Sequence, residues 1–417
     1  MVDRSSPAGG HKPSVARRDL LFLVSGNAVS TLGNAVYLIA VTLMLKSITE
    51  SVFMLGLFQF VALAPGFLLS PVAGAIVDRV SRRSVIVVSD LLRGILMIGA
   101  GLALFVPELQ TPWFLLPVSF LGGVGHAIFV PAVQAILPSL VPEHRLHSAT
   151  GLRAATSQIA NLAGNAAGGA LFLVLGAPLL FVFNGVTFVL SAIQEHFISE
   201  RGVLPGGRAE SVLQSARAGL KAVAGNRTAV RLIVSQAGLF ALSPVLMLSL
   251  PFLLIDDLGM SGEAVGFYYA LALVGGILAF AALRTVTSHR LLALPLVGIA
   301  YVTLAAGFAG VAAAVTPVVL AAVAVVSGAG AGVVYLYATT WIQLQTAADT
   351  HGRYFAMLEA ASALAAPVSY LATGLLLQIL GVRYRWILFV VYGSAALAWG
   401  IRTLFRSKAD SAAGTRS

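Results

Sequence analysis

The chain contains no cysteine and very little charge. Of its 417 residues, 10% are Asp, Glu, Lys or Arg, while 58% are hydrophobic. Soluble domains carry about 25% charged residues, so a row of two or three soluble domains is excluded. Without cysteine there is no disulfide framework and no thiolate-held metal. No Gly-x4-Gly-Lys-Ser/Thr loop occurs, so nothing marks a cradle for the phosphates of ATP. No catalytic constellation, metal site or cofactor is implied, and the chain is not read as an enzyme. The apolar run after Arg17 and Arg18 is too long for a secretory signal core and lacks a clear small-residue cleavage site. It is expected to be a first membrane helix.

What the chain does have is long apolar runs. Residues 20–45, 53–77, 84–106, 113–138, 148–174, 178–198, 229–255, 264–283, 290–314, 317–341, 354–380 and 386–404 carry little charge. Each is about 20 residues or longer, enough to cross a hydrocarbon core of about 30 Å as a helix. Barrel strands need only about 10 alternating residues. The expected fold is all-α, with twelve membrane spans in two six-helix halves.

Positive charge is distributed as topology. The N-terminal tail holds Arg4, Lys12, Arg17 and Arg18, and the even-numbered connections hold Arg79, Arg82, Arg83, Arg145, Arg201, Arg208, Arg217, Lys221, Arg227, Arg284, Arg290 and Arg353. The odd-numbered connections hold only Lys46, Arg383 and Arg385, beside the acidic Asp256, Asp257 and Glu263. Lys and Arg are retained on the cytoplasmic side, so both termini are expected there, in a multi-pass protein of the cell inner (plasma) membrane. The net charge of +10 is then topological, and no nucleic-acid partner is implied. The organisation reads as a tail (1–19), a first half (20–198), a linker (199–228), a second half (229–404) and a tail (405–417). In the linker, Glu210, Gln214, Arg217 and Lys221 share one helical face and Val212, Leu213, Ala216, Leu220 and Val223 the other, a pattern suited to a membrane interface.

An offset of 205 residues lays the second half on the first. Gly123 and Gly125 fall on Gly328 and Gly330; Gly169, Leu175 and Gly176 fall on Gly374, Leu380 and Gly381; Arg79 falls on Arg284. Parallel six-plus-six repeats are a transporter plan with the site near the midplane between halves.

Between spans two and three lies "GAIVDRVSRR", a knot of charge between greasy stretches. Gly74, Asp78, Arg79, Arg82 and Arg83 match, position for position, the loop signature Gly-x-x-x-Asp-Arg/Lys-x-x-Arg-Arg/Lys. The chain thereby resembles the major facilitator superfamily over its whole length. The resemblance implies a gating knot that latches the two halves on the cytoplasmic side in one state and releases them in the other. Physically, Gly74 would let span two pass close to a neighbour, Asp78 would accept from amides at a helix N-terminus, and the arginines would bridge helix ends. The second-half equivalent has Leu283 in place of the aspartate, so the latch is asymmetric.

Span five carries "GLRAATSQIANLAGNAAGG". Gly151, Gly164, Asn165, Gly168 and Gly169 resemble the antiporter motif of drug exporters, Gly-x8-Gly-x3-Gly-Pro-x2-Gly-Gly, with Ala160 and Asn165 replacing a glycine and the proline. The stretches "GNAVSTLGNAVYLIAVTLML", "SDLLRG" and "PAVQAILPSLVPEHRLHSATGL" are similar to the exporter branch containing enterobactin-type siderophore exporters and macrolide efflux proteins. That branch often has an acid after the glycine of span one; Asn34 stands there.

Ionisable residues inside a membrane are costly and are functional candidates. Asp90 and Arg93, three apart, can pair on one helix face. Arg153 and Glu359 complete a layer within roughly 8–15 Å of the cytoplasmic ends at 1.5 Å per residue. Glu359, with only Arg353 nearby in sequence, is the candidate proton carrier. Asn27, Thr31, Asn34 and Tyr37 form a polar stripe on span one, and with His126, Gln158 and Asn161 are the candidate substrate path.

The function expected is a secondary active exporter of small amphipathic molecules (drug, siderophore or secondary metabolite), exchanging them for protons by alternating access. Its partners would be a small-molecule substrate, protons and the bilayer, with the chain acting as a monomer. A lipid or lysolipid flippase of the same fold is the alternative, and a non-transport membrane sensor a third.

Overall fold

A computed structural model describes residues 13–142, 145–199, 223–283, 289–313, 315–346, 351–381 and 384–414. Side chains of a few further helical residues, Asp78 and Arg353 among them, lie outside the described set, as does nearly all of the amphipathic linker stretch. The helices are α1 (Pro13–Thr49), α2 (Val52–Leu68), α3 (Ser70–Arg79), α4 (Arg82–Ala103), α5 (Pro112–Leu140), α6 (Leu146–His196), α7 (Arg227–Phe252), α8 (Glu263–Leu283), α9 (His289–Ala313), α10 (Pro317–Gln345), α11 (His351–Leu380) and α12 (Arg385–Gly414). A π-helical turn, Leu253–Asp257, extends α7.

The expected apolar runs lie almost wholly in helices, but the partition differs from twelve separate spans. Among the described residues ten helices are long and apolar enough to cross a membrane. Two local causes account for the difference. Spans five and six are joined in α6, whose 51 residues would measure about 75 Å if straight, more than twice a hydrocarbon core. The chain reverses instead at Gly176, where φ is 73° and ψ is 169°, a backbone conformation open to glycine, with Pro178 following. Span two is divided at Leu69, just before Pro71, which cannot donate to the preceding turn.

Helix starts follow local chemistry. The side chains of Ser51, Ser81 and Asn226 accept hydrogen bonds from the first free amides of α2, α4 and α7. Thr111–Pro112 starts α5 and Thr316–Pro317 starts α10, each threonine accepting from the amide three residues on. These two starts are 205 residues apart, like the glycine matches. So are Gly176 and Gly381, both with positive φ, 73° and 80°.

The repeat extends to packing. α4 lies along the second pass of α6, as α9 lies along α12; α2 lies along α5, as α8 lies along α10; α1 packs on α6, as α7 packs on α11. The halves meet through α2 with α11 and the first pass of α6 with α8. Gly374 and Gly169, repeat equivalents, sit at these two seams. A Cβ at Gly374 would lie 3.2 Å from the Cα of Gly56, and one at Gly169 would overlap the backbone of Glu263. Small residues allow this approach without a side chain between backbones.

Candidate transport cavity and charged cluster

Among the described residues, side-chain bonds between the halves are found at one end of the bundle. Lys46 Nζ, at the end of α1, donates to Asp256 Oδ1 at 2.6 Å and lies 5.0 Å from the Phe252 ring centroid. Ser51 Oγ, at the start of α2, donates to Gln378 Oε1 of α11 at 3.1 Å. The contact of Gly169 with Glu263 belongs to the same end. Within the second half, Arg385 pairs with Asp257, so two of the few cations of the odd-numbered connections sit on the two adjacent acids.

Toward the other end a cavity of about 560 Å³ lies between the halves. Its walls are mostly apolar, with Phe240, Phe280 and Phe308 from the second half. Its polar groups are Arg153, Ser157 and Gln158 of α6, Gln236 and Ser243 of α7, and Ser327 and Tyr335 of α10. Arg153 is seven residues into α6, about 10 Å from its end. Arg153 Nε, Gln236 Oε1 and Ser327 Oγ are buried and hold no hydrogen-bond partner. Tyr335 is close enough to both Arg153 and Glu359 to feel each charge. A smaller chamber of about 190 Å³ shares Met247, Ala272 and Leu273 with the cavity and adds Thr42, Gln59, Asn165, Tyr269 and Tyr370.

Of the residues expected on a substrate path, Gln158 lines the cavity. Asn27, Thr31, Asn34 and Tyr37 do not line it, because their face of α1 is taken by α6. Asn27 Oδ1 accepts from Ser157 Oγ at 2.8 Å. Thr31 Oγ1 donates back to the Asn27 carbonyl at 2.6 Å. Asn34 Oδ1 accepts from Asn184 Nδ2 at 3.5 Å, and Tyr37 packs edge-on against Phe181 with centroids 4.8 Å apart. The stripe is mainly an interhelical seam. Asn161 offers its carbonyl to Asn165 Nδ2, and His126 is exposed on α5 close enough to Arg93 to feel its charge; neither lines the cavity. Gln236, Ser243 and Ser327 were not singled out by sequence, since isolated polar residues in apolar helices carry no sign of the face they occupy.

The antiporter-like segment divides its glycines between two neighbours. Gly164 and Gly168 pack on α1, against Ala35 and Ile39, while Gly169 meets α8. Gly151 faces open space. In the charged knot, Arg82 Nη1 donates to the Ala135 carbonyl at 3.0 Å and Arg83 lies 3.3 Å from His196 Nδ1, so these arginines bridge helix ends within the first half. Arg79 is exposed. The side chain of Asp78 is outside the described residues. Among the described residues, a Cβ at Gly74 would meet nothing within 4 Å.

Asp90 and Arg93 pair as expected, Nη1 to Oδ1 at 3.2 Å, both buried. Sequence reading missed the third member. Glu195, on the last turn of α6, is fully buried and neither of its carboxylate oxygens has a hydrogen-bond partner.

The sequence model of the Major Facilitator Superfamily matches residues 23–294. The chain belongs to that superfamily. It is a multi-pass membrane transporter, similar at 25% identity over 406 residues to an uncharacterized MFS-type transporter, YfiS, of Bacillus subtilis, covering 94% of each chain. It is 26% identical over 170 residues to macrolide efflux protein A of Streptococcus pyogenes, covering 40% of this chain and 42% of that one. The transporter also shares its fold with the nucleoside transporter NupG, at a TM-score of 0.71 and 10% identity, covering 93% of this chain and 98% of that one.

Proposed function

We propose that this transporter is a secondary active exporter of small amphipathic molecules, driven by exchange for protons. The observation that carries the reading is the mostly apolar cavity of about 560 Å³ between the halves, on the side of the bundle away from the Lys46–Asp256 closure. The charge asymmetry of the connections supports placing both termini in the cytoplasm, across twelve crossings counted with α6 as two passes and α2–α3 as one. The cavity then faces the cytoplasm, and cargo enters from there. Alternating access would close that mouth, with Asp78 and the arginines around it as the latch, and would part α1 from α7 at the Lys46 end. The polar side chains of Arg153, Gln158, Gln236 and Ser327 in the cavity wall favour cargo with at least one hydrogen-bonding group on an apolar frame. Similarity over 170 residues to a macrolide efflux protein favours export over uptake.

The test is uptake into inverted membrane vesicles of a panel of macrolides, siderophores and lysolipids, with and without a proton gradient. Gradient-driven uptake of a macrolide or siderophore is expected, lowered several-fold in Gln158→Ala. Movement of lysolipid alone, indifferent to the gradient, would overturn the proposal in favour of lipid flipping.

A further inference from the structure

Three ionisable side chains meet where α1, α4, α5 and the second pass of α6 pack together. Asp90 and Glu195 are each 0% exposed and Arg93 6%. Arg93 is fixed by its surroundings: its guanidinium carbon lies 3.8 Å from the Phe188 ring centroid and 5.7 Å from that of Phe129. It donates to Asp90 Oδ1 only. Asp90 Oδ2, both Glu195 oxygens and Ser191 Oγ are buried without hydrogen-bond partners. The Ser191 hydroxyl lies beside both carboxylates, short of bonding geometry with either. From α1 the cluster receives no charge, only the bare backbone of Gly26, where a Cβ would stand 3.1 Å from Ser191 Oγ and 3.3 Å from Glu195 Cγ. From α5 the titratable neighbour is His126, which faces Arg93. Nearer the helix ends lie Arg83 with His196 and Arg18 with Asp19.

The charges do not balance. Two carboxylates against one guanidinium leave a net negative charge in a site without water-exposed surface. An uncompensated buried charge costs several kcal/mol, and two neighbouring carboxylates resist ionising together. Asp90 holds the arginine, and Glu195 is left without a bonded partner.

We infer that Glu195 is the transporter's proton-binding residue: it holds one proton in this conformation, with Asp90 ionised against Arg93, and releases it when the cluster rearranges. Binding adds H⁺ to one Glu195 oxygen and removes its charge. Release leaves a carboxylate that competes with Asp90 for Arg93, whose five N–H donors can serve both. The route to the cargo is short. Gly26 touches the cluster, and the next residue, Asn27, accepts from Ser157 in the cavity wall. This assignment rests on the proton-exchange reading above and transfers the carrier role from Glu359, which is exposed, to Glu195.

The test uses the full chain in proteoliposomes. Infrared spectroscopy in wild type at neutral pH should show the carbonyl stretch of one protonated carboxyl group. Glu195→Gln should abolish it. Asp90→Asn should abolish it too, because Arg93 is then free to pair with an ionised Glu195, whereas Glu359→Gln should leave it intact. A band that survives Glu195→Gln, or disappears in Glu359→Gln, overturns the assignment. Transport separates the two levels. Wild-type export indifferent to a proton gradient sinks the exchange reading, with the infrared band still deciding whether Glu195 holds a proton. Gradient-driven uphill export that persists in Glu195→Gln sinks the carrier role alone. Should Glu195→Gln fail to fold, Glu195→Asp keeps the carboxyl chemistry and should retain the band at a shifted frequency; its absence there overturns the assignment equally.

Discussion

The crossing of α4 with α6 and the crossing of α9 with α12 are the same joint in two halves, built from opposite chemistry. The offset of 205 places Asp90 on Pro295, Arg93 on Gly298, Ser191 on Ala396 and Glu195 on Gly400. In the second half the joint is backbone against backbone: a Cβ at Gly400 would stand 2.8 Å from the Gly298 carbonyl. Where the first half seats a guanidinium and a carboxylate, the second has two glycines in contact. The difference teaches that this crossing needs no charge to close. Packing explains the glycines; it does not explain why the first half keeps two buried carboxylates on one arginine.

The largest expected effect comes from breaking the charged joint on one side only. Arg93→Met leaves the buried Asp90 carboxylate without a counter-charge and should cost about 3–5 kcal/mol, read as a lower unfolding midpoint and poor yield of folded protein in detergent. Neutralising both acids in that background, with Asp90→Asn and Glu195→Gln, should recover most of the loss. A triple variant no more stable than Arg93→Met would show that packing of the arginine on Phe188, not charge, holds the joint.

The glycine joint should break by crowding. Gly400→Ala places a methyl against the Gly298 carbonyl, Val302 and Tyr301, and overpacking of this kind costs about 1–3 kcal/mol. Its pH dependence of transport should match wild type. An altered pH profile in this variant would mean that the second half takes part in proton handling, and the contrast between the joints would fail.

A smaller effect is expected where the halves touch. The Lys46–Asp256 pair is partly exposed, so it is worth about 0.2–1 kcal/mol. Lys46→Ala should therefore raise the population opened at that end by no more than about fivefold. The chain has no cysteine of its own, so two introduced cysteines, on α1 and α7 near this pair, can carry spin labels for a distance distribution. No change in that distribution would mean that the glycine seams alone set the closure.

The fold was largely legible because hydropathy reports directly on membrane burial. The twelve apolar runs, the 205-residue repeat and the Asp90–Arg93 pair were all readable from residue types and spacing. Two things were not. Glu195 stands at the end of an apolar run, where a carboxylate passes for a helix terminus reaching water; only the packing of α4 against α6 reveals that it is buried. The stripe on α1 had the right period for a shared face, yet periodicity cannot say whether that face meets cargo or a neighbouring helix.

That last ambiguity gives the smallest and most selective expectation. Asn34 and Gln158 are both neutral amides in apolar helices, and sequence alone ranks them together. In the structure Asn34 is bonded across to Asn184 at 3.5 Å, while Gln158 faces the cavity. A hydrogen bond between membrane helices contributes about 0.6 kcal/mol on average, and one at this length should not exceed that. Asn34→Ala should thus lower the unfolding midpoint slightly and leave the apparent affinity for cargo unchanged. Gln158→Ala should do the reverse, because it loses no partner in the protein and removes a group the cargo meets. Both variants can be scored in one assay, with thermal unfolding and the concentration dependence of vesicle uptake measured on the same preparation. If Asn34→Ala weakens cargo binding as much as Gln158→Ala does, the α1–α6 seam opens during transport and the stripe belongs to the path after all.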